Sequence, residues 1–335
     1  MEEVISAVSQ MATLLVITAV GFLATKLGYL DEGVKDKITA LLLNITLPCM
    51  IVASAGDLES GQLEDRVILI FGLGALQFFL LLIVACLFNR VFRVSCDQRS
   101  LYCFMSVCTN TGFIGIPIAD ALYGSESVLL CSVFIMVMSV LLYSVGISIL
   151  ISGQKYDAGQ GECDGEVSSD AARGPSMSSG IEVGKIVRAI VNPMTGGALL
   201  ALVLVFAHLS LPVVIQQSCE LIGSITAPLA MMMVGVIIAH TKLASVITEW
   251  RMYPFIVLRQ LIAPAALFSV LRTVVSDPVI LGIFTVMFAM PVGTMTSMFC
   301  ASYGRDAVLP AKGTILSTLA SFVIIPMLIF FMLMV

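Results

Sequence analysis

The chain has 335 residues, of which 59% are hydrophobic and only 12% charged, and its mean hydropathy is +1.06. Ordinary soluble domains carry roughly 25% charged residues, so this composition excludes one and predicts an all-α integral membrane protein. The net charge of −5 comes from acidic residues spread over the loops, which leaves no basic footprint for a nucleic acid.

At about 20 apolar residues per span, ten transmembrane helices are predicted, at 4–25, 38–56, 67–89, 101–121, 127–151, 186–207, 217–239, 252–272, 279–301 and 311–334. The first opens on the acidic Met1-Glu2-Glu3, and no small-residue cleavage pattern precedes Lys26. It therefore reads as a true span and not as a signal peptide. Between the fifth and sixth spans, residues 153–184 are rich in Gly, Ser, Asp and Glu and cannot bury a core, which predicts a flexible linker. Residues 1–152 then form a first set of five helices and residues 185–335 a second. Of the 17 Lys and Arg residues, 14 fall on one side of the predicted spans, only Arg66 and Arg272 on the other, and Arg259 within a span. The positive-inside bias places the linker in the cytoplasm and both termini outside. Because five is odd, the second set enters the bilayer in the opposite sense, giving two inverted five-helix repeats. Ile45-Thr46-Leu47-Pro48 and Ile225-Thr226-Ala227-Pro228 recur at an offset of 228 − 48 = 180, and Pro117 and Pro291 at 291 − 117 = 174.

Two interrupted segments carry the functional signal. Thr109-Asn110-Thr111-Gly112-Phe113-Ile114-Gly115-Ile116-Pro117 lies in the fourth span and Met290-Pro291-Val292-Gly293-Thr294-Met295-Thr296-Ser297 in the ninth. Proline removes amide donors and glycine weakens the helix, so backbone polar groups open where hydrocarbon cannot satisfy them. Such breaks survive only when buried in protein or lining a watery cavity, and a matched pair marks a secondary transporter's binding site. The nine cysteines show no C-x-x-C pair and read as small apolar residues. His208 and His240 fall at opposite ends of neighbouring spans and cannot share a metal, so no metal site and no cofactor is predicted.

The motifs GFLATKLGYLD, LLLNITLP, NTGFIGIPIADALYG, NPMTGGALLAL, APLAMMMVG, LRQLIAP, MPVGTMTSMFCASYG and LSTLASFVIIP together resemble those of the auxin efflux carrier family. The resemblance covers nearly all of the chain outside the linker. It implies a ten-span fold similar to that of sodium-coupled bile acid symporters, with the fourth and ninth helices crossing at their breaks. Known members include plant auxin exporters and bacterial permeases for malate and malonate.

With this topology the two breaks meet as antiparallel half-helices, and two half-helix N-termini converge near the midplane. Each carries roughly half an elementary positive charge, so the expected guest is a small organic anion, a carboxylate. The expected substrate or ion site comprises Asn110, Thr111, Gly112, Gly115, Pro117, Pro291, Gly293, Thr294, Thr296 and Ser297. Each hydroxyl could equally serve helix packing, whereas an amide such as Asn110 has little structural reason to stand beside a break. Pro48 and Pro228 read as structural helix breaks, and Met231-Met232-Met233 as packing. Asp120 is either a proton carrier or, as its place near the end of the span favours, a solvated residue at the outer mouth. Arg259 either contacts an anion or snorkels to the interface. No Asp or Glu lies within either break, so sodium as coupling ion, or uncoupled anion movement, is expected over proton symport. The predicted protein is a multi-pass secondary transporter of the cell membrane, compatible with a homodimer. A passive channel or a sensor using the same cavity is the alternative.

Overall fold

The computed structural model describes residues 2–54, 63–152, 193–207, 209, 211–240 and 248–334. The predicted linker at 153–184 lies outside the described residues. All secondary structure among the described residues is helical except for one isolated antiparallel bridge between Thr109 and Val292. That is the expected economy for an apolar chain, because a helix satisfies its own backbone groups without water.

In chain order α1 is Glu2–Lys26, α2 runs through Glu32–Leu41, Leu42–Thr46 and Leu47–Ser54, and α3 is Leu63–Val91. α4 is broken into Cys96–Val107 and Thr111–Tyr123, and α5 is Glu126–Ser152. α6 is Pro193–Phe206, α7 joins Val213–Ser224 to Thr226–His240, and α8 is Met252–Leu271. α9 is broken into Pro278–Ala289 and Met295–Ser302, and α10 is Val308–Met334. Among the described residues six stretches are long and apolar enough to cross a bilayer, namely Lys37–Ser54, Arg66–Val91, Glu126–Ser152, Val213–His240, Met252–Leu271 and Val308–Met334. Shorter apolar helices at Ala12–Lys26, Thr111–Tyr123, Pro193–Leu204 and Pro278–Ala289 accompany them.

Three prolines follow a widened, π-helical turn by two residues. Leu42–Thr46 precedes Pro48, Thr111–Gly115 precedes Pro117, and Val257–Ile262 precedes Pro264. A proline ring clashes with the carbonyl four residues earlier and offers it no donor. Widening the turn moves that carbonyl aside and lets the helix continue. Pro228 instead lies in the first turn of Thr226–His240, where a missing N–H leaves nothing unpaired.

The helices pack in two groups. In the first, α1 lies along α7, and the second half of α2 lies against α6 and α7. These backbones approach so closely that only glycine fits. A Cβ on Gly235 would stand 2.1 Å from the Thr18 carbonyl oxygen, and one on Gly21 would stand 2.2 Å from that of Met232. In the second group α3 packs on α5 and on the first half of α4, while α10 packs on α8 and both halves of α9. Phe88 of α3, Tyr102 of α4 and Phe255 of α8 meet with ring centroids 5.1 to 5.2 Å apart. At the other end, Arg66 of α3 pairs with Glu126 of α5 and, at 2.8 Å, with Asp277, whose carboxylate also accepts from Val279 N and Ile280 N at the start of α9.

Outward faces remain apolar, with Leu15 and Leu23 on α1, Ile68 and Phe71 on α3 and Val323 on α10 exposed. Lipid tails solvate such a surface. Among the described residues seven cysteines are free thiols, but Cys96 is disulfide-bonded, which corrects the expectation that all nine act only as apolar filler. It begins α4, outside the predicted span of 101–121.

The glycine contacts give a first prediction. Gly235→Val drives carbon into the α1 backbone, so overpacking should cost about 1–3 kcal/mol and lower the melting temperature in detergent. Gly72→Ala, which meets nothing within 4 Å on α3, should leave it unchanged.

Candidate functional site

The two breaks satisfy each other. Asn110 N donates to Pro291 O at 2.8 Å, and Gly293 N donates to Cys108 O at 2.7 Å, on either side of the Thr109–Val292 bridge. Strand-like pairing of two unwound segments is how their backbones remain paired away from water. Close pairing requires Gly293, because a Cβ there would lie 3.2 Å from the carbonyl oxygens of both Cys108 and Thr109. The ninth-span break, 290–294, falls where the sequence motif places it. In α4 the unwound residues are 108–110, N-terminal to Gly112 and Pro117, because the π-helical turn Thr111–Gly115 absorbs the proline without unwinding.

Side chains from neighbouring helices complete the accounting. Arg259 of α8, only 1% exposed, donates from Nε to Ser106 O at 3.1 Å and from Nη1 to Met290 O at 2.8 Å. A single guanidinium therefore joins the C-terminal carbonyls of both first halves. Gln260 Nε2 donates to Ala289 O at 3.2 Å and Gln77 Nε2 to Met287 O at 3.2 Å. Ser317 Oγ accepts from Val292 N at 3.0 Å, and Gly293 O accepts from Thr296 Oγ1 at 2.6 Å and Thr314 Oγ1 at 3.1 Å. Thr296 is fully buried, so its hydroxyl belongs to the break.

Beside the junction lies a cavity of about 340 Å³, within the range of small-molecule sites. Its polar lining is Thr39, Asn110, His240, Thr294, Ser297 and Thr314, and its apolar lining includes Phe113, Met233, Met295 and Met298. Among the described residues the lining contains no Asp, Glu, Lys or Arg. Thr39 and His240 come from α2 and α7 in the first packing group and the other polar residues from α4, α9 and α10 in the second, so the cavity separates the groups. Thr39 lies near the start of α2, His240 at the C-terminal end of α7 and Thr314 near the start of α10. A separate, smaller cavity of about 20 Å³ is walled by Leu14, Ile114, Ile118, Met231, Phe322 and Ile325.

Of the residues expected at the site, Asn110, Thr294 and Ser297 line the cavity. The Asn110 side chain makes no hydrogen bond to any described residue and caps nothing. Thr111 and Pro117 are buried, and Gly112 faces open space. Gly115 admits Met287, whose Sδ would stand 2.8 Å from a Cβ there, and Pro291 lends its carbonyl to the junction. Asp120 is half-buried and lines neither cavity. Arg259 does not snorkel, since its head group is held in the protein interior. Thr39, His240 and Thr314 were not anticipated, because they stand in regular helix with no local signal, and Phe113, though inside the fourth-span motif, carries no polar group to mark it. His208 lies outside the described residues.

Gly293→Ala tests the junction. It should part the bridged segments by a few tenths of an ångström and reduce flux in reconstituted vesicles severalfold while α1 to α10 still form, as monitored by circular dichroism.

A family profile described as Membrane transport protein matches residues 6–329. The chain is 23% identical over 319 residues to an uncharacterized transporter of Methanocaldococcus jannaschii, covering 93% of this chain and 94% of the relative. It is thus a multi-pass membrane transporter and not an enzyme. With matched motifs and a family profile spanning nearly its whole length, the chain belongs to the membrane transport protein family, the auxin efflux carrier family.

Proposed function

We propose that this protein is a secondary transporter that carries a small organic anion, a carboxylate, across the cell membrane by alternating access. The substrate sits in the cavity beside the junction of α4 and α9. Ten helices form two inverted repeats, both termini lie outside, and the linker is cytoplasmic.

The observation that carries this proposal is the cavity's position. It lies between the two packing groups, beside the junction of the two breaks. A conducting channel needs a continuous path, and rocking of one group on the other offers an alternative opening instead. The grouping also supports the repeat. Exchanging α1 with α6, α2 with α7, α3 with α8, α4 with α9 and α5 with α10 maps each packing group onto itself.

Carboxylate selectivity rests on electrostatics without formal charge. The second halves of α4 and α9 begin at the junction, so N–H groups and the positive ends of two helix dipoles face the cavity. Asn110, Thr294, Ser297 and Thr314 add donors that can orient an oxygen anion, while Phe113 and the methionines fit an apolar body. A neutral site releases its guest more readily than an ion pair would, which suits a carrier.

In proteoliposomes, Asn110→Ala should lower carboxylate uptake by about tenfold or more, the loss of one hydrogen bond to a charged group, without loss of folded protein. Normal uptake in a well-folded Asn110→Ala protein would remove this residue from the site. A single cysteine at Ser297 should react with an impermeant thiol reagent from the linker side, and the transported carboxylate should slow that reaction. Equal labelling from both sides would favour a channel.

A further inference from the structure

We propose that His240 ties anion binding in the cavity to proton uptake, its imidazole offering an acceptor to the anion when neutral and a charged donor when protonated. This rests on the transport proposal above and adds a proton to it.

His240 is the last residue of α7 and the one titratable side chain in the lining among the described residues. The rest of the polar lining is hydroxyls and the Asn110 amide. Its Nδ1 stands 3.0 Å from Val236 O, one turn back on the same helix. A carbonyl only accepts, so Nδ1 carries the hydrogen, and in the neutral ring Nε2 is left with a lone pair. The ring edge away from the helix then offers an acceptor, which repels a carboxylate oxygen. A proton added at Nε2 leaves the bond to Val236 O in place, turns that acceptor into a donor and brings a positive charge to a lining that otherwise has none. With Nδ1 held, the neutral ring cannot offer the anion an N–H by changing tautomer without giving up its bond to α7.

The charged groups on the elements around this helix end are engaged elsewhere or lie apart. From α1, Lys26 Nζ donates to Ala239 O at 3.0 Å. At the start of α2, Asp31 accepts from Val34 N at 2.7 Å, and Lys37 is exposed. On α10, Lys312 pairs with Glu249 at 2.9 Å. The second half of α4 brings only Asp120, which lines neither cavity. No carboxylate among the described residues pairs with His240, so the partner left for a protonated ring is the bound anion.

Histidine is the side chain whose charge changes in the physiological pH range. If a proton strengthens anion binding, the anion strengthens proton binding by the same factor, so the two load together and loss of the proton favours release. No Asp or Glu lies within either break, and the imidazole takes the part that such a residue would have played.

Two measurements on the full chain in detergent test this, one with ligand and one without. Acetate, oxalate and benzoate stay ionised above about pH 6, so a pH effect on their binding comes from the protein. Read as a rise in melting temperature with ligand concentration, wild-type affinity should be severalfold to about tenfold higher at about pH 6 than at about pH 8.5, as expected for gaining a hydrogen bond to a charged group. His240→Gln, neutral throughout, should bind equally at both values, and His240→Lys, charged throughout, should bind tightly at both. Without ligand, NMR of the imidazole nitrogens should show hydrogen on Nδ1 and none on Nε2 at about pH 8.5, with Nε2 gaining one as pH falls. The chain has two histidines, so either variant identifies the His240 signals by their loss. Equal wild-type affinity at the two pH values would overturn the proposal, as would a pH effect that survives in His240→Gln, or hydrogen on Nε2 in place of Nδ1 at the higher pH. If His240→Gln does not fold, His240→Lys and the wild-type spectra decide. If no carboxylate binds at either pH, the carboxylate reading falls and the inorganic anion thiocyanate decides the role of His240. Tighter thiocyanate binding at the lower pH in wild type but not in His240→Gln would support that role, and equal binding would overturn it.

Discussion

Hydrocarbon offers no partner to an unwound backbone, and that constraint governs this structure. Two helices give up their hydrogen-bond ladders at 108–110 and 290–294, and each repairs the other through two main-chain bonds across an antiparallel bridge. The remaining groups fall to Arg259, Gln77, Gln260, Ser317 and Thr314, which come from α8, α3 and α10. The second packing group is therefore built around the junction, and the cavity exists because the junction leaves two helix starts facing open space. Removing either break would leave the other with unpaired groups, so the two are structurally inseparable.

A second constraint separates what is rigid from what can open. Within the first group, α1 and α7 touch backbone to backbone through Gly21 and Gly235, a contact that tolerates no displacement across its surface. Within the second, the buried aromatic cluster at one end and the Arg66 ion pairs at the other bind α3 to α4, α5, α8 and α9. Between the groups lie the cavity and its methionine and threonine lining. Methionine is flexible and makes adaptable contacts, which suits a surface that meets different neighbours as a carrier turns over. Rigid groups around a compliant seam are the mechanical requirement of alternating access.

Differences between the motif and the observed break have a single cause. In the sequence, Gly112, Gly115 and Pro117 mark the interruption of α4, yet the chain unwinds before them and passes through them as a widened helix. Proline makes an ordinary turn untenable but does not dictate whether the helix stops or expands. Expansion holds where the next helix start is needed at the cavity, and Asn110 thereby becomes the residue presented there. The hydroxyls divide in the same way. Ser297 and Thr294 border the cavity, whereas Thr296, between them in sequence, points back to Gly293 O. Helical periodicity forces that alternation, and which face points inward follows from packing alone.

Composition and periodicity by themselves determined the membrane class, the positions of the apolar helices and the two interrupted segments, because apolar run length and Pro–Gly content are local properties. The family followed from motifs carried along the whole chain. Tertiary structure decided what depends on partners distant in sequence. Arg259 looked like an anion contact or a snorkelling side chain until the fold set it on Ser106 O and Met290 O, 153 and 31 residues away. Thr39, His240 and Thr314 entered the cavity lining only because α2, α7 and α10 converge there. A side chain's chemistry is written in the sequence, but its partner is set by packing, and in a broken-helix site the partner decides the role.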